Sequence, residues 1–444
     1  MRKLFYVLSA LVISASVMAE DHVIAATKSS PAQQAPASLS LSLEQAQEYA
    51  LKQNRSLKNA SLAVQEAYAQ RWQTIAAMLP QVDGSYSYSN YCGYSAELSM
   101  MGSSVKIDMP NVGALGVTAS IGINGQGIVG VLLNNVAIEM RKIALEQSEL
   151  ELSGSIITGY VSALALQSIT GLLDSSLVNL QGLEQMTLRS VEVGAAEQTT
   201  ADQIHVRVNA MRSNINTQQR NVELALAALK VLLDVPVETE LVLTDKLEDL
   251  LSPATVMTLL GQEFNIHNNL NYQLLEKQTD LAKKNVHMAG WAYGPTLSLA
   301  YNYSDQQYYG EGGMRMTPPN LVQVSVRMPL WSSAKRAAGV IEKKIAYEEA
   351  KNTLSETRDN LAIQYQQLCF TLNTNYENYL NAKESMEVSE RVFRSTSDKF
   401  RWGTNSHLEL INASNDLITA QSTYIQSILS LVEAQVSLRN FLNN

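Results

Sequence analysis

Residues 63–89 read AVQEAYAQRWQTIAAMLPQVDGSYSYS, and residues 274–304 read LLEKQTDLAKKNVHMAGWAYGPTLSLAYNYS. In each stretch an amphipathic helical pattern stops at a proline, Pro80 or Pro295. It then continues as a period-two alternation of small polar residues with apolar or aromatic ones, which is the pattern of a half-buried strand. The same pattern of a helix followed by a strand occurs twice in the chain, which indicates an internal repeat.

A second pair of matching stretches lies further along each half. SVEVGAAEQTTADQI at 190–204 matches KFRWGTNSHLELINA at 399–413, and Gly194 or Gly403 interrupts the helical pattern in each. Glycine permits the left-handed backbone that a tight turn between two helices needs. Each half is therefore predicted to contain a helix, two strands, a very long helix, a tight turn and a final helix.

The predicted boundaries follow from these patterns. The predicted first repeat, 39–233, has a helix at 43–79, strands at 82–91 and 113–124, a long helix at 128–193 and a helix at 199–233; a linker follows at 234–254; the second repeat, 255–444, has a helix at 255–291, strands at 296–304 and 321–329, a long helix at 334–401 and a helix at 407–441.

The two longest helical segments each span roughly 100 Å at 1.5 Å per residue. Globular helices rarely exceed about 20 residues, so this length favours a coiled coil or a helical tube. Apolar residues recur every seven positions along the second segment, which makes paired helices supercoil. This row comprises Tyr365, Leu372, Tyr379, Met386, Phe393 and Phe400. Short turns at Gly194 and Gly403 then make the paired helices antiparallel.

The strand segments have one apolar, aromatic side and one small, polar side. Such strands suit a membrane barrel with lipid outside and water inside, and the alternative is a soluble sandwich whose apolar face covers a core. Trp291 and Trp331 flank the second strand pair and suit an aromatic girdle at the membrane interface, or simple packing at helix ends. Loops rich in Gly, Ser, Met and Tyr at 91–111 and 305–320 would face the exterior.

The N-terminal residues predict export. Arg2 and Lys3 precede a short apolar core that ends in Val17-Met18-Ala19, which is typical of a secretory signal peptide at 1–19. Residues 20–38 are polar and predict a flexible tail. No other unbroken apolar run reaches about 18 residues, so no transmembrane helix is expected. If the protein spans a membrane, it must then use strands closed into a barrel.

Four strands cannot close a barrel, and eight would leave a barrel filled by its own side chains. A conduit therefore needs at least three chains and twelve strands. The fold class predicted from the sequence is an α+β membrane protein, in which a homotrimer forms one twelve-stranded barrel continued by a coiled-coil helical barrel.

Several features that could carry chemistry are better explained by structure. The segment from Gly125 to Gly130 matches GxGxxG, but the helix after it is too long for a dinucleotide-binding unit, so it predicts a glycine-rich junction. The chain has five histidines and two cysteines in no catalytic or metal-binding spacing, so no enzyme activity, cofactor or metal is predicted. A net charge of −9 without a basic stripe gives no reason to expect nucleic-acid binding.

The order of these motifs resembles the TolC-like outer-membrane efflux protein family. The resemblance runs from Leu41-Ser42-Leu43-Glu44-Gln45-Ala46 to Leu442, and its most specific parts are Met78-Leu79-Pro80, Met328-Pro329-Leu330-Trp331 and the two glycine turns. It implies a homotrimer in the outer membrane of a Gram-negative bacterium, reaching into the periplasm. It also implies a mixed equatorial belt formed by Asp234 to Pro253 and the C-terminal end, a periplasmic adaptor docked on the helical tips and an inner-membrane pump.

The resemblance further implies roles for individual residues. The tip turns, Val193-Gly194-Ala195 and Trp402-Gly403-Thr404, would contact the adaptor. Glu409 matches a position that places an acidic ring at the pore entrance, or is an ordinary solvated carboxylate. A second acidic ring falls at the neutral Asn412, and an aspartate that latches the gate falls at Thr200, with Asp202 nearby.

The leading hypothesis is a passive exit duct for a tripartite efflux pump or a type I secretion system, with drugs, metal ions and proteins open as cargo. A soluble periplasmic coiled-coil scaffold is the alternative from another class, and an enzyme that uses the glycine-rich segment is the third.

Overall fold

The computed structural model describes residues 38–100, 103–194, 196–251, 253–309 and 318–443. The predicted signal peptide, almost all of the predicted tail and Ala195 of the first tip lie outside the described residues. The α-helices are α1 (Leu43–Gln53), α2 (Arg55–Ala76), α3 (Gly125–Glu192), α4 (Gln198–Leu232), α5 (Leu247–Leu250), α6 (Pro253–Leu260), α7 (Leu270–Gly290), α8 (Lys335–Arg401) and α9 (His407–Leu442).

The strands form three separate sheets. They are β1 (Ser38–Leu41), β2 (Gln81–Ser89), β3 (Ser95–Met100), β4 (Ser103–Asp108), β5 (Asn111–Asn124), β6 (Glu240–Leu243), β7 (Thr296–Tyr309) and β8 (Asn320–Arg327). The main sheet is antiparallel with the order β2–β5–β7–β8, so β2 and β8 are its edges.

Two long helical hairpins dominate the fold. α3 has 68 residues and packs against α4, and α8 has 67 residues and packs against α9. The side chains of the predicted seven-residue row are among those that meet: Leu372 is fully buried, and Phe393 and Tyr379 are buried as well. α3 also packs against α9, which joins the two hairpins.

The helix predicted at 43–79 is two helices. Asn54 breaks it, because its side-chain oxygen accepts hydrogen bonds from the backbone N–H groups of Ser56 and Leu57 and so caps α2. The amide nitrogen of Asn54 donates to the carbonyl of Leu232 at 2.9 Å, at the end of α4. α2 then ends at Ala76, three residues short of the prediction.

The helix predicted at 255–291 is broken in the same way. α6 ends at Leu260, a 3₁₀ turn follows at Ile266–Asn268, and α7 begins after Asn269. The Asn269 side chain caps α7 and donates to the carbonyl of Phe441 at 3.0 Å, near the end of α9. Each half thus has a buried asparagine that ties the start of one helix to the end of another.

The predicted loop at 91–111 contains a hairpin. β3 and β4 pair with each other in their own sheet, and the N–H of Met109 donates to the carbonyl of Tyr94 at 3.1 Å at its base. Similarly, β7 extends to Tyr309, beyond the predicted end at 304. Both differences arise because strand pairing continues where turn-forming residues had predicted irregular chain.

The segment predicted as an equatorial linker has structure of its own. β6 lies in it and pairs in parallel with β1, whose Ser38 had been placed in the flexible tail. Tyr160 on α3 is fully buried, and its hydroxyl donates to the carbonyl of Leu41 at 3.0 Å. Burial raises the pKa of the Tyr160 hydroxyl, which therefore stays protonated and keeps this donor. These contacts fix the small sheet to the middle of the helical hairpins.

Within the part of the chain that the structure describes, one helix, α3, is long and apolar enough by composition to cross a membrane, contrary to the expectation from unbroken apolar runs. The search for unbroken runs missed it because Gly and Ser interrupt the apolar residues of α3. However, 44% of its most apolar 18-residue window is buried inside the protein. Ile156, Val161 and Leu164 of α3 belong to the main core.

Candidate functional site

The four-stranded sheet has two chemically different faces. Residues directly opposite one another in an antiparallel sheet share a face. One face carries the rows Ala119–Tyr301–Val322, Ile121–Leu299–Val324 and Ile123–Leu297–Val326. Val322, Val324 and Val326 are all exposed in the single chain, so none of the described residues covers this apolar face at β8.

The opposite face of the sheet is polar. Its side chains hydrogen-bond across the strands: Thr118 donates to Asn302 at 2.8 Å, and the Ser298 and Ser325 hydroxyls lie 2.6 Å apart. Hydroxyl and amide groups that satisfy one another in this way still have donors and acceptors free for water. The arrangement suits a sheet with lipid on one side and water on the other.

The sheet joins the helices through close backbone packing at the glycine-rich segment. A β-carbon at Gly125 would lie 2.1 Å from the ring of Trp291, and one at Gly127 would lie 2.8 Å from the sulfur of Met78. A β-carbon at Gly130 would touch Thr74 at 3.4 Å. The glycines therefore let α2 and the end of α7 approach α3, which gives GxGxxG a packing role.

The two predicted interface tryptophans differ in their surroundings. Trp291 packs over Gly125, in agreement with the alternative prediction of packing at a helix end, and is about half exposed. Trp331 is 86% exposed in the turn between β8 and α8. That turn is held by Arg336, which donates to the Pro329 carbonyl at 2.6 Å and lies 5.0 Å from the centre of the Tyr293 ring. Trp331 therefore has the larger surface available for contact outside the chain.

The helical tips have the same geometry in both halves. Gly194 has φ +78° and Gly403 has φ +71°, so both adopt the left-handed conformation that ends a helix. At the second tip, the N–H of Thr404 donates to the carbonyl of Lys399 at 2.9 Å, which satisfies the end of α8. Ser406 then caps α9 by accepting from the N–H of Glu409 at 3.3 Å.

Each tip presents one large apolar side chain immediately before its glycine. Val193 is 79% exposed and Trp402 is 83% exposed, and they occupy equivalent positions in the two hairpins. Matching exposed apolar side chains on well-formed turns suit contact with another protein.

The predicted pore-entrance residues lie on α4 and α9. Glu409 and Asn412 are exposed, Thr200 is half-buried, and Asp202 is exposed and accepts a hydrogen bond from Gln198 at 2.8 Å. Glu409 sits in the first turn of α9, where a carboxylate also stabilises the helix dipole. Thr200 and Asp202 lie near the start of α4, and Glu409 and Asn412 lie near the start of α9, so all four are close to a tip.

Sequence reasoning missed one contact between the hairpins near the tips. Arg207 on α4 donates to the side-chain oxygen of Asn415 on α9 at 3.2 Å. No spacing rule predicts it, because the partners are far apart in the chain. Among the described residues, no group of three or more His, Cys, Asp and Glu side chains could hold a metal ion.

A polar-lined sheet joined to paired helices of this length is the fold of outer-membrane channel proteins. The chain superimposes on CusC with a TM-score of 0.73 and 16% identity, covering 94% of this chain and 95% of CusC. VceC from Vibrio cholerae gives a TM-score of 0.71 with 14% identity, covering 90% of this chain and 96% of VceC.

Sequence comparison adds the family. Residues 266–444 match the model described as outer membrane efflux protein. The antibiotic efflux pump outer membrane protein ArpC of Pseudomonas putida is 24% identical over 308 residues, which span 66% of this chain and 61% of ArpC. The toluene efflux pump outer membrane protein TtgC of Pseudomonas putida matches to the same extent.

Together these similarities confirm the resemblance to the TolC-like outer-membrane efflux proteins that was predicted from the sequence. They also agree with the predicted location in the outer membrane of a Gram-negative bacterium, with an extension into the periplasm. The relatives are efflux proteins and not enzymes, which is consistent with the lack of a predicted catalytic group.

Proposed function

We propose that the chain is the exit duct of a tripartite efflux pump or type I secretion system. It would passively conduct cargo from a periplasmic adaptor and an inner-membrane pump to the exterior. The observation that carries this proposal is the two-faced sheet joined directly to hairpins roughly 100 Å long. A soluble coiled-coil scaffold has no use for an uncovered apolar sheet face.

The free edges of the sheet support assembly of several chains into a ring. β2 and β8 each have one side without a strand partner, and an open edge cannot face lipid. Pairing β8 of one chain with β2 of the next leaves no free edge once the ring closes. Three chains then give twelve strands, the smallest number of this series that leaves a conduit.

The helices support the same head-to-tail contact. α8 and α4 each expose apolar side chains outside their buried seams. Those of α8 are Ile341, Ile345, Ile363, Phe370, Val388 and Val392, and those of α4 are Val206, Leu224 and Val231. Different apolar surfaces on one molecule suit a heterologous contact that closes by rotation.

The two halves have matching tips, and each has a buried asparagine, Asn54 or Asn269, that caps one helix and bonds to the end of another. These correspondences support an origin by internal duplication. In a trimer they would give six tips around one opening, each with an exposed Val193 or Trp402. We assign these side chains, with Gly194, Ala195, Gly403 and Thr404, to the docking of the adaptor. Three copies of Glu409 around the same axis would attract cations.

The names of the relatives indicate only the general chemical class of the cargo. ArpC and TtgC carry the names of antibiotic and toluene efflux pumps, which favours export of small organic compounds over metal ions and proteins. The polar face of the sheet, lined by hydroxyl and amide groups, would admit such compounds without selecting among them.

Native mass of protein extracted with detergent from purified outer membranes tests the proposal. A mass of three chains is the expected result, and the mature chain alone supplies the reference. A monomer, or recovery only from the soluble periplasm, would reject the duct and favour the scaffold.

A further inference from the structure

The two free edges of the sheet carry one charge each, and the charges are opposite. Asp83 is the only charged residue of β2, and Arg327 is the only charged residue of β8. Both lie on the polar face, because Asp83 stands opposite Thr118 and Arg327 stands opposite Thr296. Both side chains are exposed in the single chain.

We propose that Arg327 of one copy pairs with Asp83 of the next copy, and that this pair fixes the register in which the barrel closes. The proposal rests on the ring assembly proposed above and adds the residues that meet at its seam. Each free edge is occupied by a second copy of this chain, because the two edges carry opposite charges.

The sheet itself restricts the possible registers. Rows of directly opposed residues lead from Asp83 through Thr118 and Asn302 to Leu321. If the next β2 continued these rows without an offset, half of β8, residues 324–327, would lie beyond the start of β2 at Gln81 and have no partner. The copies must therefore be offset along the strands, and the offset must be even, because an odd one would turn polar side chains towards lipid.

The tilt of barrel strands sets the size of the offset. A twelve-stranded barrel with a tilt of about 35–45°, a strand spacing of about 4.8 Å and a rise of about 3.4 Å per residue needs an offset of about four to six residues per copy. An offset of six places Arg327 directly opposite Asp83. An offset of four places it opposite Gln81, one diagonal step from Asp83.

The apolar face favours six. With that offset, Val324 stands opposite Tyr86 and Val322 opposite Tyr88, and pairs of aromatic and β-branched residues stabilise a sheet. An offset of four keeps only one such pair, Val322 with Tyr86. The residue opposite Gly84 is Val326 with six and Val324 with four. On the polar face, six places Gln323 opposite Ser87, whereas four places it opposite Ser85.

The ion pair lies at the end of the barrel next to the helices, since β2 begins and β8 ends there. It faces water rather than lipid, so neither charge is taken into hydrocarbon. Three such pairs would close the ring and cancel three positive charges around its rim.

Disulfide cross-linking tests the register in intact membranes. In a Cys92→Ser background, Gln323→Cys with Ser87→Cys is expected to give a covalent trimer on oxidation, and Gln323→Cys with Ser85→Cys much less. The two positions of one chain are separated by three strand spacings, roughly 14 Å, and are displaced further along the strands, so a disulfide within that chain cannot bridge them. Stronger cross-linking through Ser85→Cys would overturn the proposed register.

Charge reversal tests the pair. Arg327→Asp and Asp83→Arg are each expected to lower the temperature at which the trimer dissociates, and the double variant is expected to restore it. Failure of the double variant to recover, with the trimer otherwise intact, would overturn the ion pair and leave the duct standing. A monomeric wild-type protein without cross-links would overturn both proposals.

Discussion

At the scale of single residues, the junction between the sheet and α3 depends on three glycines that have no β-carbon. Gly125 leaves room for the Trp291 ring, Gly127 for Met78 and Gly130 for Thr74. The sequence indicated a glycine-rich junction because the helix after it is too long for nucleotide binding. It could not indicate the partners, since they come from α2 and the end of α7, which are remote in the chain.

Gly125→Ala is therefore expected to destabilise the protein. The new β-carbon would lie 2.1 Å from the ring of Trp291, so the ring or α3 must move. Overpacking of this kind costs about 1–3 kcal/mol. Chemical unfolding of the purified protein, followed by circular dichroism, measures the loss.

Gly171→Ala on the same helix is the matched control. Nothing lies within 4 Å of its β-carbon position, and alanine is the better helix former. We expect Gly171→Ala to leave stability unchanged or to raise it by up to about 1 kcal/mol. Equal effects of the two substitutions would contradict the packing role of Gly125.

Glu409 makes a prediction about ions. If three copies ring the pore entrance, Glu409→Gln should lower the cation selectivity of the purified channel, and Asn412→Asp should raise it, because fixed carboxylates concentrate cations. The reversal potential across a planar bilayer under a salt gradient measures both. Glu356→Gln, an exposed position on α8 far from the tip, should change nothing. A reversal potential unaffected by Glu409→Gln would leave this residue as a helix-stabilising carboxylate only.

At the scale of elements, the sequence predicted the long helices closely and the shorter ones poorly. The long ones carry a seven-residue repeat over many turns, whereas the breaks at Asn54 and Asn269 leave the amphipathic pattern almost intact. The information that breaks them is a pair of long-range hydrogen bonds, to Leu232 and Phe441. A local sequence pattern cannot reveal hydrogen-bond partners that lie far away in the chain.

Both asparagines are expected to be important for stability. Asn54→Ala and Asn269→Ala each remove a helix cap and leave a buried carbonyl without its donor, at a cost of about 1–3 kcal/mol. Thermal unfolding compares them with Asn271→Ala, whose side chain is exposed on the same helix as the Asn269 cap. If all three substitutions lowered the unfolding temperature equally, the hydrogen bonds of Asn54 and Asn269 would make no special contribution to stability.

The β3–β4 hairpin is an element apart. It pairs only with itself, and the hydrogen bond between Tyr94 and Met109 already holds its ends together. Replacing residues 95–108 by Asn-Gly, which favours a two-residue hairpin turn, should leave the main sheet and the native mass unchanged. A monomer after this replacement would show that the hairpin takes part in assembly.

At the scale of the whole molecule, the sequence led to three chains through a count of strands, and the structure adds exposed apolar side chains on α4 and α8 that could take part in the same contact. The sequence did not reveal them because the seven-residue repeat accounted for only the inner seam of each helix. The exposure of an apolar residue outside that seam becomes visible only when the fold shows which parts of the described chain cover it.

The tips carry the last prediction, since they are the part of the duct furthest from the membrane. Val193→Ser with Trp402→Ser should weaken adaptor docking, because truncating a central apolar contact costs about 1–2 kcal/mol and lowers affinity about tenfold for each 1.4 kcal/mol. Cells that depend on this chain should then accumulate several times more of a fluorescent efflux dye. The native mass of the variant should stay at three chains, because neither side chain takes part in the core. Val178→Ser is the control, since Val178 is exposed on the same helix as Val193 but well away from the tip. Normal dye export by the double variant would mean that the adaptor contacts the helices elsewhere, and equal failure of the Val178 variant would mean that exposed apolar residues along the tube matter in general.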